Sequence, residues 1–151
     1  MIRVPGDKSI THRVLMLAAM ARGTSWIGGA LTSLDARSTA ACLRQLGAGI
    51  GPLRAGVAVR VAGRGRLSRP GSTLRCGNAG TTARLLLGLL AAHRFTARLD
   101  GDRSLRRRPM ARVTVPLGRM GARFAPPDAP NLPLGITGGP LTPLRWDLPV
   151  S

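Results

Sequence analysis

The chain has 151 residues, 44% of them hydrophobic and 19% charged, which suits a folded domain and excludes an intrinsically disordered chain. Its charge is lopsided: 23 basic residues stand against six aspartates and no glutamate, a formal net charge of +17. That balance raises nucleic acid or an anionic membrane surface as partners. Yet there is no tyrosine to stack on bases, the arginines are scattered apart from Arg106-Arg107-Arg108, and no helix-turn-helix, zinc-finger or RNA-binding signature occurs.

The elements follow in chain order. A strand is expected near 2–4, then a helix near 9–21 that ends about Gly23, and a strand over 25–27. A second helix fits 35–46, capped by Asp35 or Ser33, with Ala36, Ala40, Leu43 and Leu46 on one side and Gly47 as its stop. Residues 50–75 alternate in places (Val57, Val59, Val61) between glycines and prolines, the pattern of a hairpin or short strands. A glycine-led start at Gly77–Thr82 opens a helix to about Ala92. A strand over 95–99 and a turn at Asp100-Gly101-Asp102 come next. Pro109 is placed to open a helix at its first position, with Val113, Leu117 and Met120 on one face and Gly121 at its end. Leu134–Ile136 reads as a weak strand.

The chain repeats itself at long range. Gly6, Thr11 and Arg13 recur 71 residues on as Gly77, Thr82 and Arg84, each set followed by an apolar helix. Leu46-Gly47-Ala48 recurs 74 residues on as Met120-Gly121-Ala122. A duplicated α/β unit of strand, helix, strand, helix and strands accounts for this, and it places two glycine-led helix starts at comparable positions. Helix starts carry unpaired N–H groups and partial positive charge, so two at one end of a domain concentrate positive potential there.

The first of these starts, Pro5-Gly6-Asp7-Lys8-Ser9-Ile10-Thr11-His12-Arg13, holds the only lysine; the other 22 basic residues are arginines. Ser9 and Thr11 can cap or donate, Lys8 supplies a point charge, and Arg13 a planar fork for phosphate or carboxylate. The alternative is a capped surface helix with two solvated cations. The second start, Gly77-Asn78-Ala79-Gly80-Thr81-Thr82-Ala83-Arg84, allows close backbone approach and offers neutral hydrogen bonds from Asn78, Thr81 and Thr82. It is neither a Gly-Lys-Ser/Thr phosphate loop nor a dinucleotide fingerprint. In the third stretch Arg108 precedes Pro109, which pushes its backbone to an extended form and fixes its direction; Arg106 and Arg107 read as solvated.

His12 and His93 are isolated and read as packing or solvent contact, and no metal-ligand spacing exists. Cys42 and Cys76 have no close pairing in sequence; Cys42 reads as packing, and Cys76 has no evident base to make it a nucleophile. The apolar stretches 14–21 and 85–92 are too short to span a bilayer and no cleavable leader is evident, so a soluble cytoplasmic protein without metal or cofactor is expected.

Taken together, the Pro5–Arg13, Gly77–Arg84 and Gly101–Met110 motifs, in this order and spacing, resemble the EPSP synthase (3-phosphoshikimate 1-carboxyvinyltransferase) family, and the likeness runs from residue 2 to about 150. The resemblance implies a transferase of the shikimate pathway of aromatic amino-acid biosynthesis, which moves the enolpyruvyl group of phosphoenolpyruvate onto shikimate 3-phosphate through a tetrahedral intermediate. It implies an α/β (α+β) fold of repeated βαβαββ units in an inside-out barrel. The chain would hold unit 1 over about 1–70, unit 2 over about 71–137 and the start of unit 3 over 138–151, an incomplete N-terminal domain.

By position, the resemblance makes Lys8 a catalytic residue touching both substrates, and Ser9 and Arg13 binders of shikimate 3-phosphate. It sets Gly80 against phosphoenolpyruvate, Arg108 as its clamp, and Asn78, Thr81 and Arg84 as shapers of that loop. Gly80 would also leave room for glyphosate in the complete enzyme. The family's acid/base carboxylates match nothing in this chain, so a fragment inactive alone, with an exposed apolar edge and poor solubility, is expected. The complete enzyme is expected to be a monomer with no nucleic-acid or membrane partner. A UDP-N-acetylglucosamine enolpyruvyl transferase fits the Lys8-Ser9 and Gly80-Thr81 contexts poorly. A basic nucleic-acid-binding module would need a contiguous arginine face, and an inert structural fragment no convergence of the motifs.

Overall fold

A computed structural model of the chain describes residues 6–127 and 130–147. The expected strand near 2–4, Pro5 and the segment 148–151 lie outside the described residues. In order come α1 (Lys8–Met20), β1 (Arg22–Ile27), α2 (Leu34–Gln45), β2 (Gly49–Ile50), β3 (Val59–Arg64), β4 (Leu74–Arg75), α3 (Gly80–Ala91), β5 (Thr96–Asp100), a single 3₁₀ turn (Leu105–Arg107), α4 (Ala111–Arg119), β6 (Arg123–Ala125) and β7 (Leu134–Thr137).

The strands form two sheets. The first is antiparallel in the order β1-β3-β2, with Ser25 opposite Val61 and Ile50 also opposite Val61 on the other side. The second runs β4-β5-β7-β6. There β4 and β5 are parallel, joined through α3, and β7 pairs antiparallel with β5 and β6. Leu134–Thr137, a weak strand by sequence, is thus an inner strand of its sheet; Leu134 and Ile136 alternate into the core and its neighbours supply the pairing its sequence does not advertise.

The two sheets share one apolar cluster rather than enclosing two. Leu15, Met16 and Ala19 of α1, Ala36, Ala40 and Leu43 of α2, and Leu86, Leu87 and Leu90 of α3 all belong to it. The expected face of α2 is fully buried: Ala36, Ala40, Leu43 and Leu46 have no accessible surface. Small residues there let α1, α2 and α3 approach one another, and each buried leucine contributes about 1.5–3 kcal/mol.

The two halves end their helices alike. After α2, the Gly47 N–H donates to Arg44 O and the Ala48 N–H to Leu43 O; after α4, Gly121 donates to Gly118 O and Ala122 to Leu117 O. Both glycines take positive φ, +95° and +112°, as this left-handed helix stop requires. A second pair, Gly63 and Gly138, sits where a Cβ would collide with the carbonyl oxygens ending α1 (Ala18, Ala19, Ala21) and α3 (Leu90, Ala91, His93).

Some elements differ from the sequence reading. The α1 cap is Asp7, whose carboxylate accepts from the Ile10 N–H at 2.7 Å; Thr11 instead donates to Asp7 O and accepts from the Leu31 N–H. Of the two caps read for α2, Ser33 is the one used, its hydroxyl accepting from the Ala36 N–H. The strand β1 begins at Arg22, so Gly23 lies inside it rather than at a helix end. Pro109 does not occupy the first position of α4, which starts two residues later with Met110 as cap residue. The Met110 N–H donates to Pro130 O at 2.7 Å, outside the helix, and the first helical bonds run to Met110 O.

Candidate functional site: three helix starts at one end

The first turns of α1, α2 and α3 meet. Lys8, at the start of α1, pairs with the carboxylate of Asp35 in the first turn of α2. One turn further in, His12 Nδ1 lies 2.6 Å from Thr39 Oγ1, and Thr39 Oγ1 lies 2.7 Å from Thr82 Oγ1 of α3. A Cβ on Gly77, just before α3, would stand 3.0 Å from the Ser38 hydroxyl of α2. These contacts put all three N-termini on the same side, so their unpaired N–H groups and dipoles add.

The second loop carries its own cluster. Arg108 Nη2 donates to Asn78 Oδ1 at 2.5 Å, and Arg84 Nη2 donates to Pro109 O at 3.0 Å. Gly80, the first residue of α3, lies under both guanidiniums: a Cβ there would be 2.9 Å from Arg84 Nη1 and 3.3 Å from Arg108 Nη1. Arg108 has the extended backbone its proline neighbour dictates, φ −83° and ψ 127°. Asn78, Gly80, Arg84 and Arg108 are therefore gathered directly. Lys8 joins them through Asp35 and the touching helix starts. Ser9 and Thr81 lie in the first turns of α1 and α3. Arg13 is different: its Nη1 folds back onto Ser9 O at 3.1 Å, on the exposed side of α1.

The loop bearing Arg108 is itself held. Arg106, read as solvated from the sequence, instead grips Asp100 with both Nε (2.8 Å) and Nη2 (2.6 Å), because β5 delivers that carboxylate to the turn. The Arg106 bond, helped by the Gly101 N–H and by Arg75, holds the Asp100 carboxyl below the usual carboxylate range against the opposing effect of burial. Asp102 Oδ1 accepts from the Leu105 N–H at 2.7 Å, and the Asp102 N–H donates to Gly77 O at 2.9 Å. The third stretch is thus tied to the second.

His12 is fully buried, and burial pushes its pKa below the ordinary value; Asp35 works against that shift, while Lys8 and Arg13 reinforce it. His93 is a packing residue: its Nδ1 lies 2.8 Å from Leu89 O and its Nε2 accepts from the Leu67 N–H. Cys42 and Cys76, distant in sequence, are neighbours in space. The Cys76 thiol is fully buried, and Cys42 beside it and burial both push its pKa up, which favours the protonated form. Among the described residues no group of three or more His, Cys, Asp or Glu is placed to hold a metal ion. Among the described residues no helix is long and apolar enough to cross a membrane.

The sequence reading missed Asp35, Asp100 and the Thr39 node. Scarcity was the available signal. In a chain with six acidic residues, Asp7 caps a helix, Asp35 holds the lysine, Asp100 holds Arg106 and Asp102 caps a turn.

Two arginine side chains close over the glycine that opens α3, on an α/β scaffold in which three helix starts meet. The chain belongs to the EPSP synthase (3-phosphoshikimate 1-carboxyvinyltransferase) family, whose profile matches residues 1–151. It is 53% identical to the 3-phosphoshikimate 1-carboxyvinyltransferase of Thermosynechococcus vestitus and 52% identical to that of Paramagnetospirillum magneticum, over 99% and 98% of its length. It covers 35% and 34% of those proteins, so the chain spans about a third of the curated relatives it matches. A solved EPSP synthase from Acinetobacter baumannii superposes with a TM-score of 0.92 at 40% identity, over 99% of this chain and 34% of that one.

Proposed function

We propose that this chain forms one side of an active site that transfers the enolpyruvyl group of phosphoenolpyruvate to shikimate 3-phosphate. The observation that carries the reading is the placing of Gly80 beneath Arg84 and Arg108 at the end of the fold where Lys8 stands. Phosphoenolpyruvate bears a phosphate and a carboxylate. Arg108 and the α3 start would take one, and Lys8, between both substrates, would be the catalytic cation that steadies the tetrahedral intermediate and the departing phosphate. Ser9 and Arg13 would bind shikimate 3-phosphate, Arg13 after leaving the Ser9 carbonyl; Asn78 and Thr81 would shape the loop. Holding two anions in fixed geometry accounts for much of the rate.

Asp35, the carboxylate at the shared helix starts, is taken up by Lys8, and nothing in this chain matches the acid/base carboxylates that the resemblance implies for the proton transfers, so the chain binds without turning over. The division into units at 1–70, 71–137 and 138–151 is part of the same proposal, supported by the paired glycines Gly47 and Gly121, and Gly63 and Gly138. The setting is the cytoplasm, the ligands are the two phosphorylated metabolites rather than nucleic acid or membrane, and the complete enzyme is monomeric. Calorimetric titration of the chain with phosphoenolpyruvate tests the reading. Binding around millimolar or weaker, abolished by Lys8→Met, is expected. Equal binding by Lys8→Met, or full turnover by the chain alone, would overturn it.

A further inference from the structure

Thr39 stands where α1, α2 and α3 touch, with no accessible surface, and three groups surround its hydroxyl: His12 Nδ1 at 2.6 Å, Thr82 Oγ1 at 2.7 Å and the Asp35 carbonyl oxygen at 3.2 Å. A hydroxyl has one proton to give and can accept two. The Asp35 carbonyl can only accept, so Thr39 donates there. The other two contacts must then be donations into Thr39, one from the Thr82 hydroxyl and one from His12 Nδ1–H. Every proton of the node is placed in this scheme. What is left over is the lone pair of His12 Nε2, which has no partner among the described residues. The opposite tautomer would leave a buried N–H there, the rarer and costlier omission.

From this we infer that Thr39 is the positioning residue of the site: it takes protons from α1 and α3 and gives its own to the backbone of Asp35, the residue whose side chain holds Lys8. Apolar side chains would also pack three helices together, but they would tolerate sliding. A slide of one residue moves a helix by about 1.5 Å, which breaks a hydrogen bond yet scarcely disturbs a leucine contact. The node therefore fixes how far Lys8 and Gly80 project at the shared end. His12 and Thr82 act through Thr39 and touch no ligand. What the node positions rests on the functional reading above; the node itself does not.

Long-range proton–nitrogen spectra of the imidazoles in the intact chain, with His93→Gln to separate the two histidines, test the proton scheme at pH 7. A neutral His12 ring with its proton on Nδ1 is expected; a proton on Nε2, or a charged ring, overturns the scheme. Thr39→Val is then compared with Thr39→Ser. Amide exchange at Ala83 and Arg84, near the start of α3, should quicken about tenfold in the valine variant while Leu90 and Ala91 at its far end stay put, and serine should restore it. Uniform acceleration along the helix, or none, overturns the positioning role. Should the valine variant not fold, Thr82→Val removes one arm and is read in the same way. Phosphoenolpyruvate affinity should fall about tenfold in Thr39→Val and recover in Thr39→Ser, and an unchanged affinity also overturns the role. If the wild-type chain ignores phosphoenolpyruvate, the functional reading fails, while tautomer and exchange still decide the node.

Discussion

Replacing Gly80 with alanine should separate binding from stability. Gly80 begins α3 with ordinary helical backbone, so alanine meets no conformational barrier and gains up to about 1 kcal/mol in helix propensity. The new Cβ would lie 2.9 Å from Arg84 Nη1, 3.3 Å from Arg108 Nη1 and an ordinary 3.6 Å from Leu105 Cδ1. Only the guanidiniums must move, and both end flexible side chains. Arg84 retreats from Pro109 O, a net loss of about 0.5–1.5 kcal/mol, with the exposed setting favouring the low end. Gain and loss nearly cancel, so the melting temperature should shift by no more than about 2–4 °C, the equivalent of about 1 kcal/mol at this chain length. The binding consequence does not cancel. The methyl occupies the surface on which an anion would rest, and the Arg84 fork is turned away from it while Arg108 gives by a few tenths of an ångström. A hydrogen bond to a charged group is worth about 1.5–3 kcal/mol, so losing one good alignment weakens phosphoenolpyruvate binding about tenfold or more. Thermal melts and calorimetric titration read the two effects separately. Wild-type affinity in Gly80→Ala, or a collapse in stability, would refute the reasoning.

Three further outcomes follow from the same geometry. His12 is pushed below its ordinary pKa by burial, so the unfolded chain binds its proton more readily; the stability it confers is complete above about pH 6.5 and declines as pH falls below that. Denaturant melts from pH 7.5 to 5 should show the decline, and His12→Asn should flatten it. Asp100, held low by Arg106, contributes stability that is present above about pH 3.9 and lost as pH falls through its lowered folded value, so Asp100→Asn should blunt the acid limb of a profile carried below about pH 3.9, and leave the range above about pH 5 unchanged in shape. Gly63→Ala drives a methyl into backbone carbonyls that end α1 and should cost about 1–3 kcal/mol or more by urea denaturation, whereas the same change at Gly88, which has open space around it, should cost nothing.

What the sequence disclosed and what it withheld divide along physical lines. Helix α2 was readable because its periodic apolar face and its starting and stopping residues agree, and α1 and α3 because a long apolar run follows a glycine turn. A single-residue detail failed where a distant partner decided the matter: β5 brings Asp100 to Arg106. β7 looked weak because much of its stability comes from neighbours far along the chain. At the site, the gathering of Asn78, Gly80, Arg84 and Arg108 follows from one motif and a proline-directed arginine. The Lys8–Asp35 pair and the meeting of His12, Thr39 and Thr82 depend on three helices converging, which no local pattern encodes.

The account stands on one anion being shared by turns that are far apart in sequence. The most direct measurement is a single phosphoenolpyruvate titration of the isotope-labelled chain, following the backbone amides of Ser9, Gly80 and Arg108 together. One common midpoint for all three, absent in Lys8→Met, is the result the account predicts. Separate midpoints, or a response confined to one turn, would contradict it.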